Sequence, residues 1–254
     1  DYVEQMRWMH PLYAPLRRAA VAAEQSGAEP DPAVIANLSR IRALPPLDKG
    51  RSILVDAASA RLWMYEDGRP VDSMKVVVGK PTLPTPMLAG YVRQAIVNPY
   101  WNVPEDLIRD KIVPNVLKRG VGYLKAGRYE VLDDWSAEAQ PVDPATIDWR
   151  EVASGARDVR VRQLPGKDNA MGVVKFEFPN PMGIYLHDTP DKHLLRAEQR
   201  QFSSGCVRLE DAVRLGNWLL QAPVPTGGDE PERRVDLPKI VPVCVSLPEP
   251  ASAA

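Results

Sequence analysis

Through the middle of the chain, apolar and polar residues alternate. From Ser52 the run SILVDAASARLWMYEDGRPVDSMKVVVGK holds three such stretches: ILVD, RLWMYE and SMKVVVG. Period-two alternation places successive side chains on opposite faces, so each stretch predicts a strand. Asp67-Gly68 parts the last two and is a strong two-residue hairpin signal. Strands this close together, ahead of any long helix, predict an antiparallel or mixed β core. A rigid Pro-rich loop, PTLPTP (81–86), and a strand near Val92 to Asn98 come next. VVKFEFPN, GIYLHD and VPVCVSL predict the later strands, the last of them closing the fold.

Helical spacing dominates at the start of the chain and after position 209. Tyr2, Met6, Met9, Tyr13 and Leu16 recur at near-helical intervals, interrupted by Pro11 and Pro15. Val34, Leu38 and Ile41 mark a second helix, with Asp31 as N-cap and Pro32 at its first position. This N-terminal helical segment, residues 1–48, suits a scaffold or part of a recognition module. Leu209, Val213, Gly216, Leu219 and Leu220 predict a helix over 209–221. A polar Pro/Gly-rich loop (222–238) follows it, and PEPASAA (248–254) reads as a disordered tail.

Residues 99–161 break the β pattern. VPEDLIRDKIVPNVLKRG predicts a helix start and GYLKAGRYEVLD a short strand or turn. PATIDWREV predicts a short helix opened by Asp143 and Pro144. The stretch is too long and too structured for a loop. Ile108, Ile112, Leu117, Trp135, Ile147 and Trp149 make it too apolar for disorder. Gly120, Gly122 and Gly127 leave room for a hinge, though turns use glycine without one.

Length and charge narrow the function classes. At 254 residues the chain forms one large domain or two small ones. A formal net charge of −1 gives no argument for nucleic acid or an anionic membrane. No apolar run approaches the roughly 18 residues of a membrane helix. No signal peptide is visible at Asp1, and the absence of a starting Met suggests a mature or trimmed fragment. Cys206 and Cys244 allow one disulfide, but Cys244 sits in an apolar alternating run and reads as a core thiol. No Cys/His cluster has zinc spacing, so no metal is expected.

Candidate chemistry concentrates between Gly183 and Arg208. Ile184 and Leu186 share one strand face, Tyr185 and His187 the other. Asp188, Thr189 and Pro190 break the strand, and Ser203-Ser204-Gly205-Cys206-Val207-Arg208 leads into the helical pattern. A cysteine beside glycine just ahead of a helix sits near unpaired N–H groups and the positive helix end, which favour a thiolate and a developing oxyanion. A histidine on a neighbouring strand is placed to hold or take the thiol proton. The alternative is a structural cysteine and an incidental histidine, because Cys–His spacing does not transfer between families.

HDTP followed by SSGCVR resembles the signature of the L,D-transpeptidases, the YkuD-type cysteine enzymes of bacterial peptidoglycan. Many members carry His before Gly-Cys. Ser204 stands there instead, as in larger periplasmic members with a capping subdomain, and excludes a two-histidine relay at that spot. NPYWNVP (98–104), DPATIDW (143–149), RQLPGKDNAMGVVKFEFPN (162–180) and VPVCVSL (241–247) are similar to blocks of that subgroup, so the likeness covers roughly residues 35 to 247.

The resemblance implies an α+β fold. Its catalytic domain would be 49–247, a mostly antiparallel or mixed β core of the YkuD type, with 99–161 an inserted small α/β cap. It implies a periplasmic enzyme acting on peptidoglycan stem peptides, inhibited by carbapenems, with no cofactor. Cys206 would be the nucleophile and His187 the general base, oriented by Asp188 through carbonyl or carboxylate. The Cys206 N–H and the Gly205 region would form the oxyanion hole. Ser204, Tyr185 and Trp101 would line the cleft, and Arg208 would anchor a diaminopimelate carboxylate. A buried aromatic at Trp101 and a solvent-facing Arg208 are the plain alternatives. His193 reads as a surface histidine, and His10 has no partner in view. The implied reaction is 3-3 cross-linking of mDAP-containing stems. Formation of 1-3 links, L,D-carboxypeptidase activity and a non-enzymatic wall-binding role are the competing readings.

Overall fold

The structure, a computed structural model, describes residues 13–42, 49–136 and 138–246. Helices α1 (Tyr13–Gln25) and α2 (Pro32–Ile41) pack on each other, and Pro32 opens α2. The readings placed on Tyr2, Met6, Met9, His10 and the 248–254 tail lie outside the described residues.

The chain then builds β1 (Arg51–Asp56), β2 (Arg61–Glu66), β3 (Arg69–Gly79) and β4 (Leu88–Val97). Asp67 (φ 48) and Gly68 (φ 75) both adopt positive φ between β2 and β3, the conformation a tight hairpin needs. The inserted stretch contributes β5 (Trp101–Asn102), α3 (Glu105–Leu107), a π turn (Ile108–Ile112), α4 (Val113–Arg119) and α5 (Gly122–Ala126). It continues with β6 (Tyr129–Leu132), β7 (Pro141–Val142), α6 (Trp149–Ser154) and β8 (Arg160–Gln163). The chain returns through β9 (Val174–Glu177), β10 (Leu186–His187), β11 (Gln201–Ser203), β12 (Val207–Leu209), α7 (Ala212–Leu220) and β13 (Arg233–Ser246).

Two sheets result. The larger runs β11-β3-β12-β10-β9-β4-β13-β1-β2, and a β2–β3 pairing closes it into a ring. The β1–β13 and β10–β12 pairs are parallel, whereas most of the others are antiparallel, so the fold is α+β with a mixed sheet. Its core joins Ile53, Leu62, Met64, Phe176 and Leu186 to Leu215 and Leu219 of α7. The smaller sheet, β5-β8-β6-β7, has a core of its own built from Ile108, Ile112, Val116, Leu124, Trp149 and Val161. Trp101 pairs with Gln163, so this cap leaves and rejoins the main sheet at neighbouring residues.

Four local expectations are corrected. GIYLHD is strand only at Leu186–His187, because the Asn180 side chain binds both the N–H (3.1 Å) and the carbonyl (2.8 Å) of Ile184. The helix predicted over 209–221 begins at Ala212. Val207–Leu209 is drawn into the sheet between β3 and β10, and Asp211 caps the helix by accepting from the Arg214 N–H at 2.9 Å. PATIDWREV splits into a 3-10 turn capped by Asp143 and a helix capped by Asp148. The closing strand starts at Arg233, with a register shift between Asp236 and Val241 that accommodates Pro238, which has no N–H to give. Gly120 and Gly127 end helices inside the cap, a use of glycine that the sequence reading allowed for.

Candidate active site

One cavity of about 490 Å3 lies between the main sheet and the cap. Cys206, His187, Ser204 and Arg208 line it from the sheet side, and Trp101 and Tyr129 from the cap. The Trp101 and Tyr129 rings are 6.4 Å apart. Residues 187 and 206 reach one cavity because β10 and β12 are parallel neighbours, with Leu186 opposite Val207.

His187 is buried, and its Nδ1 lies 2.5 Å from the Asp188 carbonyl oxygen. A carbonyl only accepts, so Nδ1 carries the proton and Nε2 keeps the lone pair. The Asp188 carboxylate is employed elsewhere. It accepts from Lys192 Nζ (2.7 Å) and from the Val173 N–H (3.0 Å). Burial pushes the imidazole pKa down to about 4, helped by the Arg208 charge and opposed by Asp188.

The Cys206 thiol is unbridged and directed at the Gly183 carbonyl, 3.8 Å away. Burial raises its pKa above the ordinary thiol value, against a backbone N–H from Tyr185 and the Arg208 charge. Both shifts run toward the neutral forms, the thiol and the imidazole. The helix-end thiolate expected from the sequence is corrected, since β12 separates Cys206 from α7.

The loop that carries Cys206 is fixed by groups that the sequence patterns did not single out. Gly205 has φ 113, and an added Cβ would meet Ile184 Cδ1 at 3.0 Å. Its carbonyl accepts from Thr85 Oγ1 at 2.7 Å, and its N–H donates to Ser203 Oγ at 3.1 Å. Ser203 Oγ in turn donates to the Cys206 carbonyl at 2.6 Å. The Gly205 N–H is thus occupied, while the Cys206 N–H has no recorded acceptor among the described residues. Both hydroxyls are buried; Ser203 stands two residues ahead of the glycine-cysteine pair, whereas no sequence signal links Thr85 to it.

Two further expectations change. Tyr185 is not among the residues lining this cavity; its ring lies 5.7 Å from Lys175 Nζ, on the face it shares with His187. Arg208 is a strand residue at the cavity wall, paired with Asp191 at 3.2 Å. His193 is exposed and Cys244 is buried in β13, as read. Lys175 and Glu232 are charged neighbours of the site that sequence reasoning missed. Lys175 stands opposite His187 in the β9–β10 register and pairs with Glu232 at 3.3 Å. The same carboxylate accepts from the Tyr100 N–H (2.7 Å), where the chain enters the cap. No group of three or more metal-capable side chains occurs among the described residues, nor does any helix there have the length and apolarity to cross a membrane.

Comparison with known proteins agrees with the motif. Residues 50–235 match the family described as YkuD, the L,D-transpeptidase catalytic domain. A Haemophilus influenzae protein carrying the name "Putative L,D-transpeptidase" is 37% identical over 185 residues, covering 73% of this chain. That match spans only 36% of the relative's own length. Among solved structures, L,D-transpeptidase 3 from Mycobacterium tuberculosis with a faropenem-derived adduct is 15% identical, covering 77% of this chain and 60% of that one, with a TM-score of 0.39. The Enterococcus faecium catalytic domain acylated by ertapenem is 16% identical, covering 78% of this chain and 98% of that one, with a TM-score of 0.35. The sequence matches carry the assignment: the chain belongs to the YkuD family of L,D-transpeptidase catalytic domains.

Proposed function

We propose that this protein is a periplasmic peptidoglycan L,D-transpeptidase that works through a cysteine acyl-enzyme and builds 3-3 cross-links between mDAP-containing stems, a reaction that shapes the cell wall. The observation that carries the reading is the shared cavity of Cys206 and His187, with the imidazole held in the tautomer a general base needs. Cys206 Sγ attacks the carbonyl after the L-centre of diaminopimelate in a donor stem while His187 Nε2 takes the thiol proton. The Cys206 N–H receives the oxyanion. On collapse, His187 returns the proton to the departing D-amino acid amine, leaving a thioester. The side-chain amine of a second stem then attacks. His187 accepts its proton, and the released thiolate recovers it. The bond broken supplies the energy of the bond made, so the scheme needs no metal or nucleotide.

Two neutral partners suit this scheme, because proton transfer accompanies attack instead of preceding it. The cap wall, with Trp101 and Tyr129, limits water at the thioester and so favours an amine acceptor. Incubating the protein with purified muropeptides and analysing the products by mass spectrometry tests the reading. A 3-3 dimer that disappears in Cys206→Ala is expected. Only 1-3 dimers, or only trimmed monomers, would replace it with one of the two related reactions.

A further inference from the structure

The charged groups on the two walls of the cavity differ in one respect. On the sheet side, Arg208 is paired with Asp191. On the cap side stand Asp106 and Lys111, both exposed, and among the described residues neither side chain has an ion pair or hydrogen bond. Their neighbour Arg109 is fully engaged, bridging Glu105 and Asp158.

Local backbone explains why these two share a wall. Five residues along an α-helix turn the chain through roughly 500°, leaving the side chains about 140° apart. Ile108–Ile112 is a π turn, which lies between the two residues and rotates less per residue than an α-helix, so that angle is reduced and both line one wall. Ile108 and Ile112 are buried in the cap core and anchor the turn from behind. An acidic and a basic side chain, five apart and unpaired, therefore face the chamber that holds Cys206.

We propose that Asp106 and Lys111 form a specificity subsite for a zwitterionic amino-acid end, a primary ammonium beside a carboxylate, carried on the side chain of the donor stem. This rests on the transpeptidase reading above. Asp106 takes the ammonium and Lys111 the carboxylate. An amine held as ammonium by a carboxylate has no lone pair for attack. The subsite therefore suits the donor, whose amine must stay inert, and not the acceptor, whose amine must react.

The test is acylation of the full chain by three synthetic donor stems, followed by intact-mass measurement against donor concentration. One stem carries an ammonium and a carboxylate on the side chain, one a lysine-type ammonium alone, and one an uncharged norleucine. Wild type is expected to prefer the first. Lys111→Met and Asp106→Asn should each raise its half-saturating concentration roughly tenfold, with the maximal rate nearly kept. The loss should vanish for the norleucine donor, and Lys111→Arg should restore binding. Circular dichroism verifies folding. A wild type without preference, or variants that keep the wild-type preference, overturns the subsite and leaves the transpeptidase reading standing. A wild type acylated by a carbapenem but by none of the stems overturns both.

Discussion

His187 Nδ1 stands 2.5 Å from the carbonyl oxygen of Asp188, the next residue in the chain. Burial holds the imidazole pKa at about 4, below the ordinary 6.5. The acid limb of acylation should therefore lie near pH 4, and a carbapenem-acylation rate measured from pH 3.5 to 8 checks this. A limb near 6.5 would mean a solvated imidazole. The same shift affects stability. Between about pH 6.5 and 4 the unfolded chain gains a proton that the folded one refuses, so stability is full above 6.5 and falls by up to about 3 kcal/mol toward pH 4. Urea midpoints of wild type and His187→Gln should diverge over that window and run parallel above it.

The two cysteines should separate cleanly. Cys206 faces the cavity, while Cys244 is fully buried in β13 with its thiol pushed up to about 11. A carbapenem should leave one adduct by intact mass, lost in Cys206→Ala and kept in Cys244→Ala. Carbapenems should acylate faster than most penicillins. Cys244→Ser should also remain active but lose about 1–3 kcal/mol, because it buries a hydroxyl without an arranged partner.

Gly172 is where the cap's return path presses on the active site. Its φ is +64, and a Cβ there would lie 2.3 Å from Asp188 Oδ2. Gly172→Ala must displace the carboxylate that receives the Val173 N–H, and with it the residue whose carbonyl orients His187. A loss of about 2 kcal/mol or more is expected, together with slower acylation. Asp188→Asn keeps the carbonyl and should be milder in rate. Thermal melts and stopped-flow acylation distinguish the two.

Because Trp101 and Gln163 are paired, the cap can be excised between them and bridged by a short Gly/Ser linker. Hydrolysed stems should then rise relative to cross-linked product, measured on purified muropeptides after circular dichroism confirms folding. An unchanged ratio would show that the cap does not govern acceptor choice.

Much of this was legible before any coordinates. Alternation gave β1, β2 and β3, and Asp67-Gly68 gave their hairpin, because those signals are local. The Gly183–Arg208 stretch marked Cys206 and His187 by motif. What stayed hidden depends on distant partners. Val207–Leu209 carries helical spacing yet becomes a strand, since β3 and β10 offer it ladder bonds on both sides. Thr85, in a loop read only as stiff, reaches the Gly205 carbonyl across 120 positions of sequence. Glu232, at φ 54 in a polar loop, ties Tyr100 to Lys175 with no sequence pattern to announce it.

The place of β13 in the ring also governs how the protein can be made. Arg233–Ser246 lies between β4 and β1, strands that leave the ribosome well over a hundred residues earlier. Until it emerges, β1 and β4 each expose an edge of unpaired backbone N–H and C=O groups, and β2 and β3 join the two halves of the ring. Cys206 and His187 are translated before the frame that holds their cavity can close. Nascent chains halted between α7 and β13 should thus hold Cys206 in an unfinished pocket and be candidates for chaperone capture.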